Sequence, residues 1–401
     1  MEKVDIFLEA IEILDLNCKI SKGYSYTKPS ENNLVQSSWN SLWITYGNCA
    51  LNKIDRAEKE MLSLLNYQWK NGLLPSIIYD NFELNIWELE KNANKLAKFY
   101  NTSGIISPPL HADVCLKIFE KGIDKVEAKI FLNRVYKHLL LWHKYLYENR
   151  DLNNEGLIFI IHPDESIMNN SPMWDNILKN NNDLIKIIKE CKYDETEIYK
   201  KSDFIIQDVL FNVLLLKSNY ALGKIANILR KEDDLYTINS WISKTKKGID
   251  NKLFFEGFYY NVNLKNNKRI LIKTISGLSA YYFSSKTEEI VNLLKKEFIV
   301  ENNKNFKLSS LSIKESKFDS SDMWKGSMFI NLTWLIISVL EKNKSCEAID
   351  LAKNIKSNCL KNIEKLGFYE YYDSVDNYGF GDSCHSMTAS MYVCFQTNQI
   401  F

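Results

Sequence analysis

Apolar residues recur along this chain at helical spacing. Over 125–150 (KVEAKIFLNRVYKHLLLWHKYLYENR) they fall near i, i+3, i+4 and i+7, which predicts one long amphipathic helix. Residues 55–69 (DRAEKEMLSLLNYQW) put Met61, Leu64, Leu65 and Trp69 on one face, behind an Asp cap candidate and an acidic first turn. The segment 204–231 is apolar on nearly all sides in its first half, and 329–343 has the same character, so both should be buried. Residues 345–367 are amphipathic again and stop at Gly367, a C-cap signal. Further helices are predicted over 2–18, 41–51, 110–121, 176–192, 232–249, 285–297 and 385–397.

Strand patterns are few. They are GLIFII (156–161), a hairpin over 254–274 turning at Asn266-Asn267, and GFYEYYD (367–373). No Pro/Gly/Ser-rich linker or composition break divides the chain. Buried helices alternate with amphipathic ones, about a dozen in all. That alternation fits an inner ring covered by an outer one, an all-α (α/α)6 barrel with a few short strands in its loops. The expectation is a single domain over residues 1–401; an irregular α-bundle has the same periodicity.

Composition narrows the classes. The chain is 45% hydrophobic, 25% charged and 13% aromatic, with 22 Tyr and 9 Trp. Such rings fill cores, and they also line sugar clefts, because each pairs an apolar face with a polar tip. A net charge of +1 gives no electrostatic reason to expect nucleic acid or an anionic membrane surface as partner. The eight cysteines are scattered, with no C-x-x-C pair and no His at zinc spacing. Reduced thiols, no metal, no cofactor and a cytoplasmic location are therefore expected. The N-terminal MEKVDIFLEAIEILDL is acidic from its second residue and reads as an amphipathic helix.

The unusual residues sit in loops at predicted helix ends, where a ring would bring them together into a cup. They are QSSWNSLWITYG (36–47), QWKNGLLPSIIYDN (68–81), TSGIISPPL (102–110), HPDESIMNNSPMWD (162–175), QDVLFN (207–212), DMWKGSMFINLTW (322–334) and GFYEYYDSVDNYGFGD (367–382). In this order, the segments resemble the (α/α)6-barrel glycosidases of glycoside hydrolase family 63, in particular its mannosylglycerate and glucosylglycerate hydrolase branch. The likeness runs from about residue 36 to 395.

The resemblance implies an inverting glycosidase with two carboxylates. One protonates the leaving oxygen and one activates water from the opposite face, the pair standing ~6.5–9.5 Å apart. The family's base matches Glu370, flanked by Phe368, Tyr369 and Tyr371. Its proton donor matches Asn169, and a carboxamide has no titratable proton with which to act as an acid. Five more positions depart from the family pattern. Asn40 stands after Trp39 where an Asp is expected, Ser76 replaces a His, Ser107 a Gln, Lys325 an Arg, and Asp164 a Trp. Asp164 lies five residues before Asn169 and is the candidate for a relocated acid; a solvent-facing or capping Asp is the plainer alternative. Trp39, Asn40, Glu165, Gln207, Asp208, Trp324, Lys325 and Tyr372 are the implied substrate contacts, with loop-holding the alternative for Glu165, core packing for Trp39 and Trp324, and N-capping for Asp208. The substrate implied is a small glycoside.

Three classes of function remain open at this point. One is a glycosidase with Glu370 as base and an unorthodox acid. Another is an inactive relative that binds a sugar or partner in the retained cup. The third is a barrel repurposed for proton transfer on a non-sugar substrate, which requires a more apolar cavity than a sugar does.

Overall fold

In the computed structural model, residues 5–21, 24–80, 86–87, 89, 96–178, 180–284, 289–302 and 305–399 are described. Residues 2–4 of the helix expected over 2–18, and 285–288 of that expected over 285–297, lie outside them. Fourteen α-helices follow in chain order among the described residues. They are α1 (Ile6–Leu16), α2 (Ser38–Ala50), α3 (Ile54–Asn66), α4 (His111–Lys121), α5 (Lys125–Asn149), α6 (Asn181–Glu190) and α7 (Glu195–Lys201). The remainder are α8 (Val209–Leu229), α9 (Glu232–Gly248), α10 (Ile275–Ser279), α11 (Ile290–Glu297), α12 (Ile330–Asn343), α13 (Cys346–Leu366) and α14 (Ser386–Gln396).

Six of them close a ring. Helix α2 packs on α4, α4 on α8, α8 on α10, α10 on α12, α12 on α14, and α14 back on α2. Outside it, α1 lies on α14, α3 on α2 and α4, α5 on α4 and α8, α9 on α8, α13 on α12 and α14, and α11 against α13. Helices from the two rings thus alternate along the chain, and α6 and α7 are an insertion between α5 and α8. This is the (α/α)6 barrel that the alternation of patterns predicts.

Burial explains which helix goes where. Every residue of α2 except Asn40 is buried, as are Ser386 to Phe395 of α14. Neither could face water without exposing a broad apolar surface. The two approach closely at Gly47: a Cβ there would stand 2.6 Å from that of Ser390. Two polar groups of the inner helix α8 are bonded to elements outside the ring. Asn212 takes the amide of Ile158 (2.7 Å) and donates to its carbonyl (2.9 Å), while Ser218 bonds His143 Nε2 (3.1 Å).

Several element ends differ from the sequence expectation, each for a local reason. Helix α3 starts at Ile54, so Asp55 lies inside the first turn and pairs with Lys59 (2.6 Å) in place of capping. Trp69 falls beyond the helix, its indole donating to Thr102 Oγ1 (3.2 Å) from within a buried loop. Residues 206–207 form a strand, and Asp208 caps α8 by accepting the Phe211 amide (2.8 Å).

Short strands fill the loops. Two-stranded pairs with weak sequence signatures are β1 (Cys18–Ser21) with β2 (Tyr24–Thr27) and β3 (Val35–Ser37) with β4 (Ile77–Tyr79). A four-stranded sheet of order β10-β9-β6-β5 joins β5 (Phe159–Ile160), β6 (Ile206–Gln207), β9 (Asn261–Asn263) and β10 (Lys268–Ile270). The hairpin over β9 and β10 turns where Asn266-Asn267 predicts. Beside it, β7 (Phe254–Phe255) pairs with β8 (Phe258–Tyr259), and β11 (Ile299–Asn302) pairs with β12 (Asn305–Leu308). All eight cysteines are free thiols.

Candidate active site

A cavity of about 300 Å³ opens at the N-terminal mouth of the inner ring. Its wall is assembled from seven separate stretches of chain. The start of α2 contributes Ser37, Trp39 and Asn40, and β4 with the loop before it contributes Ser76 and Ile77. Ile105 and Ser107 precede α4, and Asp164, Ile167 and Asn169 come from the loop after β5. Met323, Trp324 and Phe329 lead into α12; Glu370, His385 and Met387 complete the wall beside α14.

Each stretch is held by contacts that the local sequence dictates. Glu165 organises the Asp164 loop from beneath. Fully buried, it takes both arms of Arg150 (2.9 and 3.0 Å) and the backbone amides of Ile106 (3.1 Å) and Ile161 (2.8 Å). A single carboxylate therefore ties the Ser107 loop to the Asp164 loop, and paired burial is the condition under which a charge is tolerated inside. His162 caps the short 3-10 turn at 163–166, its Nδ1 accepting the Asp164 amide (3.2 Å). Ile167 then adopts a left-handed backbone, φ 63°, which a β-branched residue avoids unless its surroundings impose it. The indole of Trp174 closes the loop on the Met168 carbonyl (2.7 Å). Asn170 docks it across the cavity mouth onto Asp322 Oδ1 (3.1 Å) and the Met323 carbonyl (3.2 Å).

Glu370 is positioned by a hairpin and a stack of rings. Strands β13 (Tyr371–Tyr372) and β14 (Gly379–Phe380) pair, and Met328 and Tyr372 exchange two backbone hydrogen bonds (2.7 and 3.0 Å). Trp324 lies flat on Phe329 (3.5 Å, 3°), Phe329 on Tyr371 (5.4 Å) and Tyr371 on Phe380 (5.8 Å). The Trp324 backbone is also left-handed, φ 63°. Burial, then the charge of Asp382, raises Glu370 above the ordinary carboxylate range. Gly381 (φ +72°) presses against it: a Cβ there would lie 2.5 Å from Glu370 Oε2.

The other titrating groups differ. Asp164 has a side chain 43% exposed, with Oδ2 3.5 Å from His162 Nδ1. His385 is buried and its pKa is pushed down to about 4 by desolvation, so it is neutral at physiological pH. Asn169 is exposed at the mouth. Asn40 donates to Ser37 Oγ (3.1 Å), and its own carboxamide oxygen is buried without a partner.

Glu370, Asn169, Asp164, Trp39, Asn40 and Trp324 thus share one cavity. Glu165, Gln207, Asp208, Lys325 and Tyr372 are not on its wall. Glu165 is consumed as described. Gln207 donates to Glu155 (2.8 Å) from within the sheet, and Asp208 caps α8 and takes an Asn261 donor (2.8 Å). Lys325 bonds Asp322 (2.7 Å), and the Tyr372 hydroxyl donates to the Gly367 carbonyl (2.7 Å). Each of these is engaged by protein groups. The wall also holds residues that sequence reading did not assign to substrate, notably Ser37, Ile167, Phe329, His385 and Met387. Ser37, Ile167 and Phe329 fall within the loop segments that carry the resemblance, and nothing in the sequence singled them out there. Five of the six positions that depart from the family pattern (40, 76, 107, 164 and 169) line this cavity, and Ser76 and Ser107 bond each other (2.7 Å).

A toroid of paired helices with carboxylates, amides and indoles around a cavity at one mouth defines the six-hairpin glycosidase class. Residues 33–388 match the mannosylglycerate hydrolase MGH1-like glycoside hydrolase domain, and the chain belongs to that family. Mannosylglycerate hydrolase of Rubrobacter radiotolerans is 28% identical, covering 96% of both chains. Mannosylglycerate hydrolase of Thermus thermophilus is 29% identical, over 96% of this chain and 99% of that one. The crystal structure of the family 63 mannosylglycerate hydrolase from a second strain of Thermus thermophilus, in complex with glucose, superposes with a TM-score of 0.84. That match is 28% identical and spans 98% of this chain and all of the other.

Proposed function

We propose that this family member hydrolyses a small α-glycoside with inversion, using Glu370 as general base and Asp164 as the acid that Asn169 cannot be. The reading is carried by one observation: Glu370, Asp164 and Asn169 line the same 300 Å³ cavity, a size suited to a disaccharide-like ligand. In the reaction, Glu370 takes a proton from water as its oxygen attacks the anomeric carbon. Asp164, protonated, delivers its proton to the leaving oxygen as the glycosidic bond breaks. The cycle ends with Glu370 protonated and Asp164 ionised, and exchange with solvent resets both. Trp39 and Trp324 offer apolar faces to the sugar ring, and Asn40 and the serines offer polar contacts. So many amides, hydroxyls and carboxylates favour a sugar over an apolar substrate.

A second reading rests on Asn169 itself. With an amide at the family's donor position, the cup would hold a sugar without cleaving it.

The test is hydrolysis of aryl α-glucosides and α-mannosides with good leaving groups beside their alkyl counterparts. Glu370→Gln should lower both activities by about 10²–10⁴-fold. Asp164→Asn should spare the activated substrates and lose the alkyl ones, which depend on an acid. No turnover of any substrate by the parent protein would leave the binding reading standing. The first-formed anomer, followed by NMR, reports inversion.

A further inference from the structure

A second cavity, of about 380 Å³, is walled by parts of the inner ring. Asp113 comes from α4, Lys217 and Lys224 from α8, Tyr282 from the turn after α10, and Lys342 from α12. Lys246 reaches it from the outer helix α9. Lys342 sits in the last turn of α12, and Phe329 on the active-site wall sits just before its first. That helix has 14 residues, so its two ends, and the cavities they serve, stand about 20 Å apart.

Among the described residues on this wall, lysines outnumber acids four to one. The acid, Asp113, is already engaged: it accepts the Tyr46 hydroxyl and pairs with Lys217 (3.4 Å). Two ammonium groups are held by one ring. Lys342 Nζ lies 4.2 Å from the centre of Tyr282 and Lys217 Nζ 5.3 Å, and Lys342 also donates to the Tyr282 carbonyl (2.6 Å). Such contacts place a cation without cancelling its charge. Burial, then the charges of Lys217 and Lys246, lower the pKa of Lys342, so like charges crowd one another here. An anion seated among them relieves that repulsion. A carboxylate would bring a single charge. A phosphate monoester brings close to two and presents three acceptor oxygens, enough to meet several ammonium donors at once. The volume is that of a small-molecule site.

We propose that this cavity binds a small phosphate-bearing molecule, held by Lys217, Lys224, Lys246 and Lys342, at a site separate from the glycoside cavity. It stands whether or not the first cavity cleaves a sugar.

The experiment is calorimetric titration of the full chain with inorganic pyrophosphate at neutral pH and low salt. One ion should bind per chain with Kd below about 1 mM, and more weakly as salt rises. Lys224→Gln combined with Lys246→Gln should weaken binding at least about tenfold. Both lysines are exposed on helices, and glutamine keeps nearly the same helix propensity, so the variant should fold as the parent does. Lys268→Gln combined with Lys296→Gln removes the same charge from exposed positions outside the cavity, and should leave Kd within about twofold. Absence of binding at millimolar pyrophosphate would overturn the proposal. So would several weak sites per chain, or a Kd that the cavity pair leaves unchanged. Equal weakening by the two pairs would also sink it, since the protein's net charge and not this cavity would then be attracting the ion.

Discussion

Adjacent residues on one loop meet opposite fates here. Glu165 points inward to Arg150 and two backbone amides; Asp164, one residue earlier, stands 43% exposed on the cavity wall. Glu370 is the other wall carboxylate, and its raised pKa has a kinetic consequence. A general base works ionised, so kcat/KM should fall as pH drops through that raised pKa, with an acid limb at higher pH than an unperturbed glutamate at about 4.3 gives. A pH–rate profile on an activated substrate checks this, and Glu370→Gln should cost about 10²–10⁴-fold. In an Asp164→Asn background, Asn169→Asp, which puts a carboxyl back at the family's donor position, should restore turnover of alkyl glycosides by up to a similar factor. Gly381→Ala tests the setting of the base. The left-handed backbone alone should cost about 1–2 kcal/mol, and the new methyl displaces the Glu370 carboxylate, so kcat should fall with little change in KM.

At the level of elements, the loops that build the cavity are fixed by buried contacts rather than by regular structure. The Arg150–Glu165 pair is the clearest case, because Arg150 sits at the end of α5 and also faces Glu195 (3.8 Å). Arg150→Met should destabilise the protein by about 3–5 kcal/mol, since it strands a buried carboxylate. Denaturant unfolding measures this, and Arg150→Met with Glu165→Gln should recover part of the loss. The helices were legible because their signal is local. Apolar spacing marked α5, α12 and α13 to within a residue or two. The start of α8 was legible as the N-capping alternative for Asp208, but the strand ahead of it and the place of Trp69 were not, because sheet pairing and the buried Thr102 hydroxyl outcompeted helical propensity there.

Across the whole molecule, burial has set two groups of titrating residues against each other. Glu60 is raised to about 7, and Asp151 and Asp208 to about 6, each chiefly by desolvation. These bind protons more tightly folded than unfolded, so their contribution is present below about pH 4 and is lost as pH rises through 6 to 7. His111 is lowered to about 3, and His143 and His385 to about 4, again by burial. Their contribution has the opposite sign: it is present above about pH 6.5 and is lost as pH falls towards 4. Between about pH 4.5 and 6.5 the two sets offset. Glu60→Gln removes one member of the first set, so the variant should lose stability more steeply on acidification than the parent. Chemical denaturation at stepped pH reads the slope, and an unchanged slope would mean that Glu60 binds its proton no more tightly folded than unfolded.

The order and spacing of apolar residues determined that this chain makes alternating buried and amphipathic helices, and the loop segments marked the family it belongs to. Both are properties of neighbouring residues. Which acids face the cavity, which are locked inside, and what charge a ligand meets were decided only by the closed ring. Arg150 claims Glu165 while Asp164 stays on the wall, and Ser76 finds Ser107 thirty-one residues away. Desolvation and charge pairing act through space, so they depend on neighbours that the chain brings together only when the ring shuts.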